Sequence, residues 1–336
     1  MNTENRKYEW YPSGNAPLLY PTELFFGDFI FSEGEGLYIP ESIPFEGRWG
    51  RGEDTHILDN NFFLAPSAIN IVWFSYVENQ FYSLEADLPK EKITELLAEI
   101  DEKTKEAKYN RITAGMAPYG RLAVWVSGIY IITEVAWLQA EPTEVEMEDF
   151  APSVEYTQNE YRDLVFKDCK EAYENYQKNG LPDRMLFERY MQRFNYRITP
   201  IFENKDAVFK EIEMCYYNGE LNTTNSGEHA ENVMRAKPYK IVLNWSIGKA
   251  QYGGYFWTDE KKIIETFANF YRNDTQKEGN LVIEVEESNN QFHFFLQDCT
   301  TIVEIPVEEI QIIVFKNKFE FFRSKNYNKP QGGWRN

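Results

Sequence analysis

Cysteine and histidine are scarce in this chain, and their scarcity removes whole classes of chemistry. Only Cys169, Cys215 and Cys299 occur in 336 residues, far apart, with no C-x-x-C spacing. Neither a zinc ribbon nor a thioredoxin-type redox motif can be built from them. An odd, scattered set predicts three reduced, buried thiols and so a reducing compartment, one disulfide being the alternative. The histidines are His56, His229 and His293, with no H-x-x-x-H or H-E-x-x-H spacing. No metal site is therefore expected, nor any cofactor, because G-x-S-x-G elbows and the glycine-rich phosphate loops of P-loop and Rossmann folds are also absent. No stretch approaches the roughly 18 apolar residues of a membrane helix. Residues Met1 to Lys7 carry charge with no apolar run behind them, so the chain reads as cytoplasmic as written. Removal of a signal behind a new start Met would leave the same residues, and would make the protein periplasmic or membrane-anchored.

What the chain does have is acid and aromatic residues. Aromatics make up 16% of it, which favours half-buried pleated surfaces and hence strands. The net charge is −19, unevenly spread: residues 1–150 hold 11 Lys and Arg against 26 Asp and Glu, the remainder 24 against 28. Binding to phosphate backbones needs a basic surface, so nucleic acid is not an expected partner. An acidic field serves solubility, and it also steers basic partners.

Hydrophobic patterning predicts hairpins at 69–86 and 111–127, with a helix between them whose Ile93, Leu96, Leu97 and Ile100 form one apolar face. The acid-rich stretch 140–153 reads as a linker. Thr157 with Glu160 marks a capping box opening a helix that runs to Asn179–Gly180, and Asp183 caps a second helix carrying Phe187, Tyr190, Met191 and Phe194. Strands return from 195 on, with Asn218–Gly219 as a tight turn and a further helix from Asp259. An ungapped shift of 170 lays Ile71 on Ile241, Ile93 on Ile263, Ile112 on Val282 and Leu122 on Phe292. This order of elements suggests a repeated hairpin–helix–hairpin unit.

Two segments are candidate recognition sites. The loop Gly47 to Gly52 sets Arg48, Trp49 and Arg51 on a glycine-rich backbone, and Arg and Trp are favoured interface residues. Packing of Trp49 on a sheet, with the arginines balancing nearby acids, explains the same pattern. The acidic stretch offers Glu144, Glu146 and Glu148 as a negative patch, or simply a solvated linker. Tyr119 and Arg121, at the turn of the second hairpin, complete the candidate partner-binding set. No catalytic residue is identified. Carboxylate pairs of the glycosidase kind arise by chance among 54 acids.

Several stretches resemble the bacterial domain-of-unknown-function 2931 family: Tyr8–Glu9–Trp10, Leu37–Tyr38–Ile39–Pro40, Arg48–Trp49–Gly50–Arg51–Gly52, Tyr76–Val77–Glu78–Asn79, Ala114–Gly115–Met116–Ala117–Pro118–Tyr119–Gly120 and Val124–Trp125–Val126. Together they span most of residues 8–140, and the rest looks like the extension of longer relatives. The resemblance implies no activity. Many relatives look like lipoproteins, whereas this sequence shows no lipid-attachment signal.

The expected fold is α+β: two related β-rich halves, each an antiparallel sheet with a packed helix, joined by a helical connector. The expected domains are 1–150, a connector at 151–195, and 196–336. The expected function is that of a non-catalytic protein-binding module, an immunity-type inhibitor of a basic bacterial toxin. The competing reading is a carbohydrate-binding or glycan-processing surface protein, with carboxylates and aromatics in a cleft between the halves.

Overall fold

Alternating apolar residues build most of the strands, each turning one set of side chains to a core. In a computed structural model that describes residues 6–53, 61–102, 104–152, 155–225, 227–272, 274–317 and 320–321, the chain is α+β and divides into two units, Met1–Phe187 and Glu188–Asn336. His56 lies outside the described residues. No helix among those described is long and apolar enough to cross a membrane.

The first unit contains β1 (Tyr8–Glu9), β2 (Tyr11–Asn15), β3 (Thr22–Ile30), β4 (Gly36–Tyr38), β5 (Phe62–Phe63), β6 (Ala68–Ser75) and β7 (Gln80–Asp87). Helix α1 (Lys90–Leu97) and strands β8 (Arg111–Ala117), β9 (Arg121–Ser127), β10 (Ile131–Gln139) and β11 (Glu141–Thr143) follow. Last come α2 (Met147–Phe150), α3 (Gln158–Asp168) and α4 (Lys170–Asn179). One sheet runs β11–β7–β6–β3–β4, all neighbours antiparallel. Beside it β2, β8, β9 and β10 are laddered in that order, and β2 runs parallel to β8. Ile69, Ile71 and Trp73 of β6 face Leu122, Val124 and Val126 of β9 across a core that Ile93 and Leu97 of α1 close.

The division between the units falls within α5 (Leu186–Met191). The second unit then contains β12 (Phe194–Phe202), β13 (Ala207–Tyr216), β14 (Leu221–Thr224), β15 (Val233–Arg235), β16 (Pro238–Ile247) and β17 (Ala250–Thr258). Helix α6 (Glu260–Tyr271) precedes β18 (Gly279–Val285), β19 (Phe292–Gln297), β20 (Ile302–Ile305), β21 (Ile310–Lys316) and β22 (Glu320–Phe321). Here β21, β17, β16, β13 and β14 lie side by side, antiparallel, while β12, β18, β19 and β20 form the other ladder, with β12 parallel to β18. Strand for strand, this is the order of the first unit. α6 sends Ile263, Phe267, Phe270 and Tyr271 into the core between the two sets.

Five expectations need correction. Each half holds two sheet layers and one parallel pair, where a single antiparallel sheet was expected; β2 and β8 meet across about 100 residues of chain, a pairing that local pattern does not encode. The shift of 170 fails at β8, and it does not hold for both strands of the β6–β7 hairpin, since Phe74 pairs with Phe81 but Asn244 with Gly253. Ile112, Ala114 and Met116 face the first core where Leu281, Ile283 and Val285 face the second, an offset of 169. A one-residue slip exchanges the faces of a strand, so Val282 does not stand where Ile112 stands. The stretch 140–153 is not a bare linker: β11 ladders onto β7, and Val145, Met147 and Phe150 pack into a third core with Phe74, Phe81 and Phe166. The helices at 158–179 pack in that core too, so they belong with the first unit, and the chain breaks between them at Cys169, whose ψ of 67° is not helical. The cysteines are free, but only Cys169 and Cys215 are buried; Cys299 is exposed in the turn between β19 and β20.

Candidate functional site

The arginine–tryptophan loop is held by residues that the sequence did not single out. Asn15, fully buried at the end of β2, donates its side-chain amide to the carbonyls of Arg48 (3.2 Å) and Arg51 (3.0 Å) and to Glu53 Oε1 (3.0 Å). Its own carbonyl oxygen accepts from the Gly50 amide at 3.2 Å. Glu53 in turn accepts from the backbone amides of Ala16 (3.3 Å) and Glu46 (3.2 Å). Gly50 has φ +87°, a conformation that costs glycine nothing.

The loop is thereby pressed onto the outer face of β2, β8 and β9. Trp49 meets Trp125 edge to face, centroids 4.6 Å apart, and Phe187 at 5.5 Å. Gly115 leaves the room: a Cβ there would overlap both indoles. Trp49 is half-exposed, and its indole nitrogen is buried without a partner among the described residues. Arg51 is exposed beside Arg111, whose pKa is lowered by burial and by the Arg51 charge. Arg48 is half-exposed.

Tyr119 and Arg121 sit at the β8–β9 turn. Tyr119 has φ +64°, and its amide donates to both oxygens of Glu78 at 3.0 and 2.9 Å. Glu78 also accepts from Ser75 (2.8 Å) and Tyr82 (2.8 Å), which pins the strained turn to the β6–β7 hairpin. The Tyr119 hydroxyl donates to the Pro182 carbonyl at 2.6 Å, and Arg184 lies 5.2 Å over its ring. Arg121 lies 5.8 Å over Trp137. Through Gln139, which donates to the Tyr119 carbonyl at 2.9 Å, this turn adjoins the start of β11.

Along the segment after β11, exposure alternates. Glu144, Glu146, Glu148 and Asp149 point to solvent, while Val145, Met147 and Phe150 are packed on the outer face of the β6–β7 sheet. Phe150 touches Phe74, Phe81 and Tyr161. Below it Glu23, 5% exposed, accepts from Tyr161 at 3.0 Å and from Tyr76. Burial raises the Glu23 pKa against the pull of those two hydroxyls, and burial lifts Tyr161 to about 12. The structure thus places the Trp49 loop and the Tyr119–Arg121 turn on one ladder, β2–β8–β9, and seats Glu144, Glu146 and Glu148 over the other sheet, on the outer face of β6–β7. Glu23, Asn15 and Glu53 are not legible as site residues in the sequence because each acts through partners distant in sequence, and Glu78 joins them through the Tyr119 amide, 41 residues away.

His293 Nε2 lies 2.9 Å from Glu286, and the His229 ring lies 4.6 Å from Phe209. No group of three or more His, Cys, Asp or Glu placed to hold a metal occurs among the described residues. A family model described as a protein of unknown function, DUF2931, matches residues 1–183. No curated protein and no solved structure matches the chain.

Proposed function

The chain belongs to the DUF2931 family, whose function is unknown, and from the geometry of its first unit we propose that it is a non-catalytic protein-binding module, an immunity-type inhibitor that neutralises a basic toxin. The observation that carries this reading is the acidic ridge. Glu144, Glu146, Glu148 and Asp149 are exposed on a segment whose intervening apolar residues are locked into a core. Charges presented on a fixed frame need no ordering when a partner arrives, so more of the interaction energy is kept as affinity. The ridge lies in the acidic half of the chain, where the field speeds encounter with a positive surface and repels nucleic-acid phosphates. The pinned Trp49 loop is a second, slower-dissociating contact. Buried free thiols at Cys169 and Cys215 suit a cytoplasmic setting.

The test is affinity capture from the native host followed by kinetics on the captured partner. Glu144→Gln, Glu146→Gln and Glu148→Gln together should lower the on-rate several-fold and leave dissociation unchanged. Trp49→Ala should speed dissociation by the equivalent of about 2 kcal/mol. Folding is checked by circular dichroism, because Trp49 also packs on Trp125. Capture of no basic protein, or on-rates indifferent to the three substitutions, removes the acidic ridge from the interface.

A further inference from the structure

The outward face of the β13–β16–β17–β21 layer differs from its counterpart in the first unit in a way that points to a ligand. In the first unit Phe74 of β6 pairs with Phe81 of β7, and both are buried beneath Phe150 and the α3 segment. On the outward face of the second unit's hairpin Asn244 of β16 faces Gly253 of β17, and the face there opens as a groove of about 460 Å³. Its floor is aromatic. Tyr255 stands edge to face with Phe315, centroids 5.6 Å apart, and both are half-exposed. Beneath them Trp245 is fixed by stacking on Tyr252 at 5.5 Å and by its indole N–H, which donates to Asn289 at 2.8 Å.

The rim is polar, and its hydrogen-bonding capacity is not used up. The ladder of β13 and β16 shifts register between Phe209 and Glu211, a β-bulge that turns the consecutive Lys210 and Glu211 to the same groove. Asn244 donates to Glu211 at 3.3 Å, which fixes both side chains with one carboxylate oxygen still open. The Tyr255 hydroxyl, the Gln251 side-chain amide and the Lys210 ammonium make no hydrogen bond among the described residues. Lys210 and Glu211 offset each other in the lining, and Lys240 and Lys316 stand 5.8 and 5.9 Å over the Tyr255 and Tyr252 rings, so the groove does not select a cation.

We propose that this groove binds an uncharged pyranose oligosaccharide. A pyranose ring has the complementary chemistry: an apolar C–H face to lie on Tyr255 and Phe315, and a belt of hydroxyls to reach Glu211, Asn244, Gln251 and Lys210. The Gly253 position supplies the flat approach, since a side chain there would crowd Asn244 at 3.0 Å from its Cβ. The site lies wholly within the second unit and is independent of the acidic ridge, so failure of either assignment leaves the other standing.

The experiment is calorimetric titration of the full chain with cellotetraose and with chitotetraose. Saturable binding of one of them in the range of about 0.1 to 1 mM is expected, as for other small polar ligands on open grooves. Tyr255→Ala should weaken it at least about tenfold, while Tyr255→Phe, which keeps the ring, should weaken it no more than about threefold. Glu211→Gln is the second probe, since it alters a hydroxyl acceptor without touching the floor, and urea unfolding of each variant separates lost binding from lost fold. No heat with either sugar up to about 10 mM, or binding that Tyr255→Ala leaves unchanged in a folded protein, overturns the proposal.

Discussion

The two units share one strand order yet bury opposite charges. The first buries a carboxylate, Glu23, under two tyrosine hydroxyls, and half-buries Glu78 at the Tyr119 turn and Glu53 beneath the arginine loop. The second encloses a base. Lys237 is 1% exposed, donates to the Arg189 carbonyl, and lies 4.8 Å over the Phe194 ring. Burial and the Arg189 charge push its pKa down to about 7. A shared topology therefore leaves the sign of the interior charge open, and the pH response of each unit follows its own buried group.

The largest effect that sharpens this contrast belongs to Lys237→Met. An ammonium forced into an apolar site opposes folding, and an apolar residue of similar volume should raise stability by about 1–4 kcal/mol at pH 6. The folded pKa lies below the unfolded value of 10.5, so the unfolded chain binds the extra proton between pH 7 and 10.5, and wild-type stability rises through that window. The advantage of the Met variant should shrink over the same range in urea titrations. A constant advantage would place the ammonium in solvent.

Second in size is Asn15→Ala, which strips the arginine loop of three donated bonds and one accepted bond. Buried partners left unsatisfied make a loss of about 1–3 kcal/mol the expected outcome. Amide exchange at Gly50 should accelerate well beyond the global change. If exchange at Gly50 stays slow, the Trp49 packing alone holds the loop, and the first unit depends less on buried polar groups than the contrast supposes.

The smallest effect is expected from Glu23→Gln. The folded pKa of Glu23 lies above its ordinary 4.5, so its contribution to stability is present below that pH and is lost as pH rises through the folded value. The amide keeps an acceptor for the tyrosines and does not titrate. Relative to wild type, the variant should therefore gain stability as pH climbs from about 4.5 toward neutrality, opposite in slope to the Lys237 arm. Parallel slopes for the two variants would dissolve the comparison.

Local signals in the sequence were read well, and distant pairings were not. Thr157 and Glu160 form the reciprocal capping box expected of them, at 2.9 Å for the return bond to the Thr157 amide. Ile93 and Leu97 face the core from α1, and Gly219 with φ +87° makes the tight turn after Asn218. These depend on neighbours within four residues. Phe166 is fully buried in the third core while Leu164 is 53% exposed, and the break at Cys169 separates the apolar stripe of α3 from that of α4, so one continuous helical period does not describe both. Phe194 belongs to β12, although a helix was expected to reach it. The loop residues Arg48, Trp49 and Arg51 were visible by composition alone; what holds them, Asn15 and Glu53, was not, because a buried amide looks like any other polar residue until its carbonyl partners are folded around it.

The exposed thiol of Cys299 makes the molecule unusually convenient to mark. Cys169 is buried with its pKa pushed up to about 12, which withholds its thiolate near neutral pH, and Cys215 is fully enclosed, out of a maleimide's reach. Cys299 sits at the tip of a turn whose backbone is fixed by Asp298, which accepts from the amides of Thr300 and Thr301 at 2.7 Å. A dye, spin label or tether attached to the unaltered protein would land on that one sulfur, on a firm base, and would report from the second unit alone.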